Sequence, residues 1–301
     1  MKKYRNYIFD LYGTLMDIHT EERSPALWRF MEEFYEIYGV IRSAKDLEET
    51  FFALDQEERV LLASINNVGY PEIKLEKVFV RLLFEGGKII DTGRTIEGNT
   101  VREWKKRYDK DREGVLNRLI KSEWVFMISN LFRIRSRRYI RPFPNTVATL
   151  ERLRENGAHI YLLSNAQEIF TMPEILKFEL DKLFDRMYIS SDLGVMKPEG
   201  AFLEALISDE GLNRNESVMI GNEVMSDMAI ARKCSLDGIL LNTAHIEEKE
   251  IRKEIASMKK KIRPDAIGNP AAGKDSVMDS SMTGGSARIH IISSGDIAEI
   301  L

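Results

Sequence analysis

Short runs of consecutive apolar residues alternate with amphipathic stretches over the second half of this chain, and one more such run lies near its start. Short apolar runs bounded by turn residues are typical of buried strands, whereas apolar residues spaced three and four apart are typical of helices. Alternation of the two predicts a parallel sheet with helices on both faces. The predicted strands are residues 7–9, 159–163, 187–189, 218–220, 238–241 and 289–292, the last at a sheet edge.

More than a hundred residues with a helical pattern separate the first two predicted strands. Leu27, Met31 and Phe34 illustrate the three- and four-residue spacing of apolar positions in this stretch. We therefore predict an α/β fold with a doubly wound parallel-sheet core formed by residues 1–16 and 142–301. An all-helical domain is predicted to be inserted over 17–141, and the Gly-, Ser- and Pro-rich residues 264–288 predict a flexible loop.

Composition narrows the class of protein. The 301 residues carry 44 Lys and Arg against 48 Asp and Glu, a formal net charge of −4. Nucleic-acid and anionic-membrane binding generally need a basic excess, so we expect neither kind of partner. Cys234 is the single cysteine, which excludes an intramolecular disulfide and a cysteine-based zinc cluster. The apolar run near the start is too short for a secretion signal, so we expect a cytoplasmic protein.

Residues able to take part in catalysis follow the ends of successive predicted strands. In open parallel sheets ligands bind beyond the carboxyl ends of the strands, so these residues are expected to meet at one edge. A carboxylate can act as a nucleophile, two or more carboxylates can hold a Mg²⁺-like ion, and a hydroxyl and a lysine can hold substrate oxygens. The residues are Asp10, Thr14, Ser164, Asn165, Lys197, Asn222, Glu223 and Asp227.

Four segments carry a family resemblance. Residues 10–15 (DLYGTL), 163–165 (LSN), 197–198 (KP) and 221–227 (GNEVMSD) resemble, in order and spacing, the four motifs of the haloacid dehalogenase superfamily. The resemblance covers about residues 4–243. It implies a Rossmann-like core, a C1-type cap formed by the insert and, in most members, Mg²⁺-dependent hydrolysis of a small phosphorylated metabolite.

The resemblance also implies roles for individual residues. Asp10 would be the nucleophile, Lys197 would stabilise it, and Ser164 would bind the transferring group, with Thr14 and Asn165 also on the substrate side. Tyr12 would occupy the acid–base position of the catalytic set. The metal ligands would be Asp10, Asn222, Glu223 and Asp227.

Two positions depart from the phosphatase pattern. Phosphatases of this superfamily have a second Asp two residues after the nucleophile, where this chain has Tyr12. A tyrosine there resembles the 2-haloacid dehalogenases, in which halide leaves without a proton and no metal is needed. Asn222 stands where an Asp usually follows the glycine. Glu223 and Asp227, one helical turn apart, favour a phosphatase that binds metal.

Alternative functions remain open at this level. The first is a 2-haloacid dehalogenase, in which Asp10 attacks carbon. The second is a phosphate-binding or regulatory protein with little turnover, because Tyr12 and Asn222 replace two acids of the family pattern. The arginines at the end of the insert are either a solvated helical face or a collar that attracts an anionic substrate. This cluster consists of Arg133, Arg135, Arg137, Arg138 and Arg141.

Overall fold

The computed structural model describes residues 2–261 and 287–301. The predicted loop over 264–288 lies outside the described residues, except for its last two positions. Over the described ranges, no helix combines the length and the apolar character needed to cross a membrane.

Strands form one large sheet and three two-stranded pairs in the described ranges. The pairs are antiparallel and lie within or at the ends of the inserted segment. In chain order the strands are β1 (Asn6–Phe9), β2 (Met16–Thr20), β3 (Val40–Ile41), β4 (Lys88–Ile89), β5 (Thr95–Ile96), β6 (Asn99–Thr100), β7 (Arg137–Pro142), β8 (His159–Ser164), β9 (Arg186–Ile189), β10 (Ser217–Gly221), β11 (Asp237–Leu241) and β12 (Ile289–Ile292).

Helices connect these strands. Short 3₁₀ turns occupy Leu180–Leu183, Arg214–Glu216 and Ile297–Ile300, and one turn of π-helix spans Val224–Met228. The described α-helices are α1 (Pro25–Ile37), α2 (Ala44–Asn66), α3 (Leu75–Arg81), α4 (Val101–Tyr108), α5 (Arg112–Leu119), α6 (Glu123–Ser136), α7 (Thr146–Glu155), α8 (Glu168–Lys177), α9 (Ser190–Leu193), α10 (Gly200–Asp209), α11 (Ala229–Lys233) and α12 (Glu248–Lys261).

The large sheet has six parallel strands in the order β12-β11-β10-β1-β8-β9. All six strands predicted from the apolar runs are present, and β12 is at an edge as expected. The chain places β8 and β9 on one side of β1 and then returns to place β10, β11 and β12 on the other side. The strand order therefore reverses at β1, and such switch points open a crevice beyond the carboxyl ends of the strands.

Alternating side chains of β1 explain why both faces of the sheet are covered. Phe9 packs into a buried cluster with Leu150 of α7, whereas Ile8 packs into a cluster on the other face with Phe202 of α10. Successive residues of a strand point to opposite faces, so a strand that is apolar at every position has to be buried on both.

The inserted segment has its own buried cluster, built around aromatic rings of α1, α2 and α6. The ring centroid of Trp28 lies 5.4 Å from that of Phe51 and 5.8 Å from that of Phe132. Phe170 of α8 belongs to the same cluster, with its ring 6.3 Å from Phe132. The apolar core of the insert is thus continuous with a helix that follows β8.

The insert is mainly helical but differs in detail from the all-helical prediction. Its two connections to the rest of the chain pair as β2 and β7, and two shorter antiparallel pairs lie inside it. The last part of the insert before β7 is divided into three helices, α4, α5 and α6. The divisions fall where Asp111 and Ser122 accept hydrogen bonds from backbone N–H groups of the next helix, as N-cap residues do.

Candidate functional site

A buried lysine joins two carboxylates at the carboxyl edge of the sheet. Asp10 directly follows β1, and its N–H donates to Ile220 O of β10 at 2.9 Å. The Lys197 Nζ lies 2.6 Å from Asp10 Oδ1 and 2.7 Å from Asp227 Oδ1. All three side chains are buried, with at most 10% of each exposed. The structure therefore brings together groups from three loops at the switch point of the sheet.

Burial and charge act against each other in this triad. Burial raises the pKa of Asp10 to about 6, and Asp227 adds to the rise while Lys197 opposes it. Burial by itself lowers the pKa of Lys197, but the two neighbouring carboxylates outweigh it and the net pKa is raised. An ammonium between two carboxylates remains charged, because each carboxylate favours the charged form.

A tight turn after Asp10 brings the next polar residues close to the end of β10. Gly13 has φ +83°, and a Cβ atom there would lie 2.5 Å from Asn222 Nδ2, so a side chain at this position would displace the amide. Thr14 is buried, and its Oγ1 lies 3.2 Å from Asp10 Oδ2 and 3.1 Å from Asn222 Oδ1. Thr14 therefore orients the Asp10 carboxylate and connects it to Asn222.

Asp227 is held by the backbone as well as by Lys197. It lies in the π-helical turn, and its Oδ2 accepts a hydrogen bond from Glu223 N at 3.0 Å. Gly221 leaves the space for this carboxylate, because a Cβ atom there would lie 2.1 Å from Asp227 Oδ2. A glycine at the end of β10 is thus a steric requirement for the position of Asp227.

Ser164 and Asn165 end β8 but make different contacts. The Asn165 side chain accepts from Lys197 N at 2.7 Å and donates to Lys197 O at 3.0 Å, so it fixes the backbone that carries the lysine. The Ser164 hydroxyl is buried and has no hydrogen-bond partner among the described residues. An unpaired buried hydroxyl costs free energy unless a ligand or water satisfies it.

A family comparison matches the same part of the chain. The family model for haloacid dehalogenase-like hydrolases matches residues 4–234, which include every one of these positions. This chain belongs to that family.

Relatives of this haloacid dehalogenase-like hydrolase include a dehalogenase and a phosphatase. (S)-2-Haloacid dehalogenase 4A of Burkholderia cepacia is 21% identical over 238 residues, which are 79% of this chain and 83% of that protein. Glyceraldehyde 3-phosphate phosphatase of Methanothermobacter thermautotrophicus is 30% identical over 104 residues, 35% of this chain. The matched part spans only 46% of the length of that phosphatase.

Solved structures resemble the fold. The crystal structure of 2-haloacid dehalogenase from Pseudomonas syringae aligns with a TM-score of 0.49 at 18% identity. The alignment covers 79% of this chain and 86% of the dehalogenase chain.

Tyr12 of this haloacid dehalogenase-like hydrolase is bound to a buried carboxylate. Its hydroxyl donates to Glu174 of α8 and lies 3.2 Å from Thr171 Oγ1. Burial raises the pKa of the Tyr12 phenol above its ordinary value; Arg133 opposes the rise and Glu174 adds to it. The phenol is therefore a poor proton donor near neutral pH, although it stands at the acid–base position.

Glu174 also binds two arginines from the end of the insert. Arg133 of α6 donates to it through Nε at 2.8 Å and through the terminal Nη2 at 3.1 Å, and Arg137 donates to the same carboxylate. The guanidinium of Arg133 lies 5.2 Å from the centroid of the Tyr12 ring. The insert and the loop after β1 thus meet at a single buried carboxylate.

The arginine cluster is neither a wholly solvated face nor an open collar. Arg133 is buried, so the interpretation as a solvated face is wrong for that residue. Arg138 pairs with Glu21 at 2.6 Å, and Arg141 pairs with Asp17 at 2.8 Å. Contacts with acidic residues therefore satisfy much of the charge in this cluster.

Among the predicted metal ligands, Glu223 contributes its backbone rather than its carboxylate to the hydrogen bonds of the site. It is exposed, and its carboxylate makes no hydrogen bond or ion pair with a described residue; only its N–H joins the site. Over the described ranges, no group of three or more His, Cys, Asp or Glu side chains is placed to hold a metal ion. The oxygens that converge come instead from two carboxylates and the amide of Asn222.

Sequence reasoning missed Glu174, which organises Tyr12 and the two arginines. The signal that could have drawn attention to it is an acid among apolar residues past the first turn of α8, because an unpaired carboxylate is rarely buried. Its partners lie 37 to 162 positions away along the chain, so no local pattern connects them.

Proposed function

We propose that this protein is a Mg²⁺-dependent phosphatase that acts on a small phosphomonoester through an aspartyl-phosphate at Asp10. The observation that carries the proposal is the buried triad of Asp10, Lys197 and Asp227, next to a buried Ser164 hydroxyl without a partner. Relatives named as phosphatases support the same reaction class.

The first half of the reaction uses groups already in contact. The Asp10 carboxylate attacks phosphorus, the ester P–O bond breaks, and the leaving oxygen takes up a proton from water. Lys197 holds the nucleophile through Oδ1 while Thr14 holds Oδ2, so the attacking group does not need to reorganise. The unpaired hydroxyl of Ser164, at the end of the neighbouring strand β8, would donate to a phosphoryl oxygen.

The second half regenerates the enzyme. Water attacks the phosphorus of the aspartyl-phosphate, the bond to Asp10 breaks, and inorganic phosphate leaves while the proton of the water passes to solvent. We further propose that the inserted segment acts as a cap, which limits access of bulk water to the site. Its contact with Tyr12 through Arg133 and Glu174 supports this role.

The donor set of this edge fits a magnesium ion. Asp10 Oδ2 and Asn222 Oδ1 lie within 3.2 Å of the same Thr14 hydroxyl, and Asp227 is held beside them through Lys197. Mg²⁺ in phosphate-handling sites is commonly bound by one or two carboxylates together with waters and substrate oxygens. Asp10, Asn222 and Asp227 would hold the ion, which would neutralise charge between the carboxylate and the phosphate.

The decisive experiment measures initial rates on p-nitrophenyl phosphate with Mg²⁺ and with excess chelator. We expect turnover that chelation abolishes and that Asp10→Asn reduces by at least about a thousandfold, since the nucleophile is lost. Asp181→Asn, in the 3₁₀ turn that precedes β9, is the matched control and should keep the wild-type rate. Turnover that survives either chelation or Asp10→Asn would contradict the proposal.

A 2-haloacid dehalogenase is the second candidate, because the Tyr12 hydroxyl donates its hydrogen bond to Glu174 and offers no acid for a leaving group. Halide needs no proton when it leaves, so this arrangement would suit attack of Asp10 on carbon. The dehalogenase relative that matches 79% of this chain is compatible with it. Halide release from 2-chloropropionate that continues in chelator would identify this reaction.

A further inference from the structure

A cleft of about 390 Å³ opens between the insert and the core beside Tyr12 and Asn165. Residues of the segment after β1, of α2 and of the loop after β8 line it together. A phosphoryl group held at Asp10 would direct the rest of a substrate past Tyr12 and Asn165 and into this space. The charged side chains that line the cleft would therefore determine which leaving groups bind there.

The arginines of the cleft are already engaged by protein groups. Arg59 donates through Nε to both oxygens of Asp55, at 3.2 and 3.1 Å, and through Nη1 to Pro71 O at 3.1 Å. Its Nη2 lies 3.0 Å from Glu72. Arg133 uses two of its nitrogens on Glu174. Neither guanidinium is free to give a substrate anion the paired hydrogen bonds that arginine usually offers.

Glu22 is different from the other acids that line this cleft. Its carboxylate forms no hydrogen bond or ion pair with any residue in the described ranges, and it is only partly accessible to solvent. Burial raises the pKa of Glu22; Arg133 opposes this rise, and the neighbouring Asp55 adds to it. A carboxylate that has lost water without gaining a partner is stabilised by a cationic or hydrogen-bond-donating ligand.

We propose that the cleft selects phosphomonoesters whose leaving group carries a cationic amine, and that Glu22 receives this amine. The inference rests on the proposed phosphatase function. A leaving group with a carboxylate would meet Glu22, Asp55 and Glu72 and would find both arginines occupied. A leaving group with a neutral hydroxyl would donate a hydrogen bond to Glu22 without the attraction of opposite charges. Its affinity should therefore lie between that of the amine and that of the carboxylate.

Three phosphomonoesters of nearly equal size separate these cases: O-phosphoethanolamine, 2-hydroxyethyl phosphate and 2-phosphoglycolate. Each is measured as a competitive inhibitor of p-nitrophenyl phosphate hydrolysis. We expect the amine to bind about tenfold more tightly than the hydroxyl compound, and the carboxylate to bind most weakly. Glu22→Gln should remove most of the preference for the amine. Glu21→Gln, which changes the adjacent acid outside this cleft, should preserve it.

Failure of the proposed function is distinguishable from failure of this inference. The same three compounds are titrated calorimetrically into wild-type protein and both variants. This titration measures the affinity for each compound whether or not turnover occurs. A preference for the amine that Glu22→Gln removes supports the inference even without hydrolysis. Tighter binding of 2-phosphoglycolate, a preference unchanged in Glu22→Gln, or no binding of any of the three overturns it.

Discussion

The Lys197 ammonium lies 2.7 Å from Asp227 Oδ1, and the other carboxylate that it contacts is Asp10. One cation from the loop before α10 thus connects the residue that follows β1 to the π-helical turn that follows β10. The arrangement couples the stability of the sheet edge to the proposed chemistry, because the ion pairs that orient the Asp10 carboxylate also stabilise two buried carboxylates.

Lys197→Met tests this coupling, since it keeps the length of the side chain and removes its charge. Two buried carboxylates would face each other without a cation, so we expect the free energy of unfolding to fall by about 3–5 kcal/mol. Urea denaturation without added divalent metal measures the change. Lys182→Met, at an exposed lysine paired with Glu179, should leave the free energy of unfolding almost unchanged. Equal stability of the two variants would contradict the coupling.

Gly221→Ala should impair catalysis through Asp227. The added Cβ would overlap the Asp227 carboxylate, which Lys197 and Glu223 N hold from other directions. Displacement of a site group by about 1 Å can lower the rate roughly a hundredfold, and we expect a kcat loss of that order.

Gly69→Ala is the matched control for this change, because the nearest atom to a Cβ there is Glu199 Oε2 at 3.6 Å. It should retain the wild-type kcat. A wild-type kcat in Gly221→Ala as well would mean that Asp227 need not stay in the observed position.

Glu174→Gln should change how stability depends on pH. Burial acts to raise the pKa of Glu174, but hydrogen bonds and the charge of Arg133 outweigh it, so the net pKa lies below the ordinary value of 4.5. A carboxyl group whose pKa is lowered by folding contributes stability at pH values above the unfolded pKa and loses that contribution as the pH falls.

The free energy of unfolding of the wild-type protein should therefore fall below about pH 4.5, and the fall should be shallower in Glu174→Gln. At pH 7 the variant should be less stable by about 3 kcal/mol, because two arginines lose a buried partner. Urea denaturation from pH 7 to pH 3 measures both effects. Glu179→Gln, on the surface, serves as the control, and an unchanged pH dependence in Glu174→Gln would refute the prediction.

The rate should depend strongly on the leaving group, because Tyr12, which the family resemblance places at the acid–base position, donates its hydrogen bond to Glu174. General acid catalysis typically contributes a factor of about a hundred or more. We therefore expect kcat/KM for p-nitrophenyl phosphate to exceed that for phenyl phosphate by at least about a hundredfold.

Tyr12→Asp should lower the ratio of the two kcat/KM values, because the Asp side chain can protonate the leaving group. Tyr12→Asn introduces a side chain of similar shape that has no acidic proton. The two variants are compared on both substrates. Identical ratios in Tyr12→Asp and Tyr12→Asn would show that protonation of the leaving group does not limit the reaction.

The strands and their order along the chain could be predicted because each strand is recognised from residues that are adjacent in the sequence. Each buried strand is a continuous apolar run, and a polar residue after such a run lies at a sheet edge in any parallel α/β fold. Asp10, Lys197 and Asp227 were predicted on that basis, and the structure brings them together. Whether Asn165 would contact a substrate or the Lys197 backbone could not be predicted, because that depends on how two loops pack.

By itself, then, the sequence determined the parallel sheet and the loops whose polar residues meet at its carboxyl edge. Tertiary structure alone decided that the Glu223 carboxylate forms no hydrogen bond with a described residue, that Glu174 binds Tyr12 and Arg133, and that Glu22 has no hydrogen-bond or ion-pair partner among the described residues. The physical reason is that backbone periodicity follows from neighbours along the chain. The contacts and the pKa of a charged side chain depend instead on residues that are distant in the sequence and that folding packs beside it.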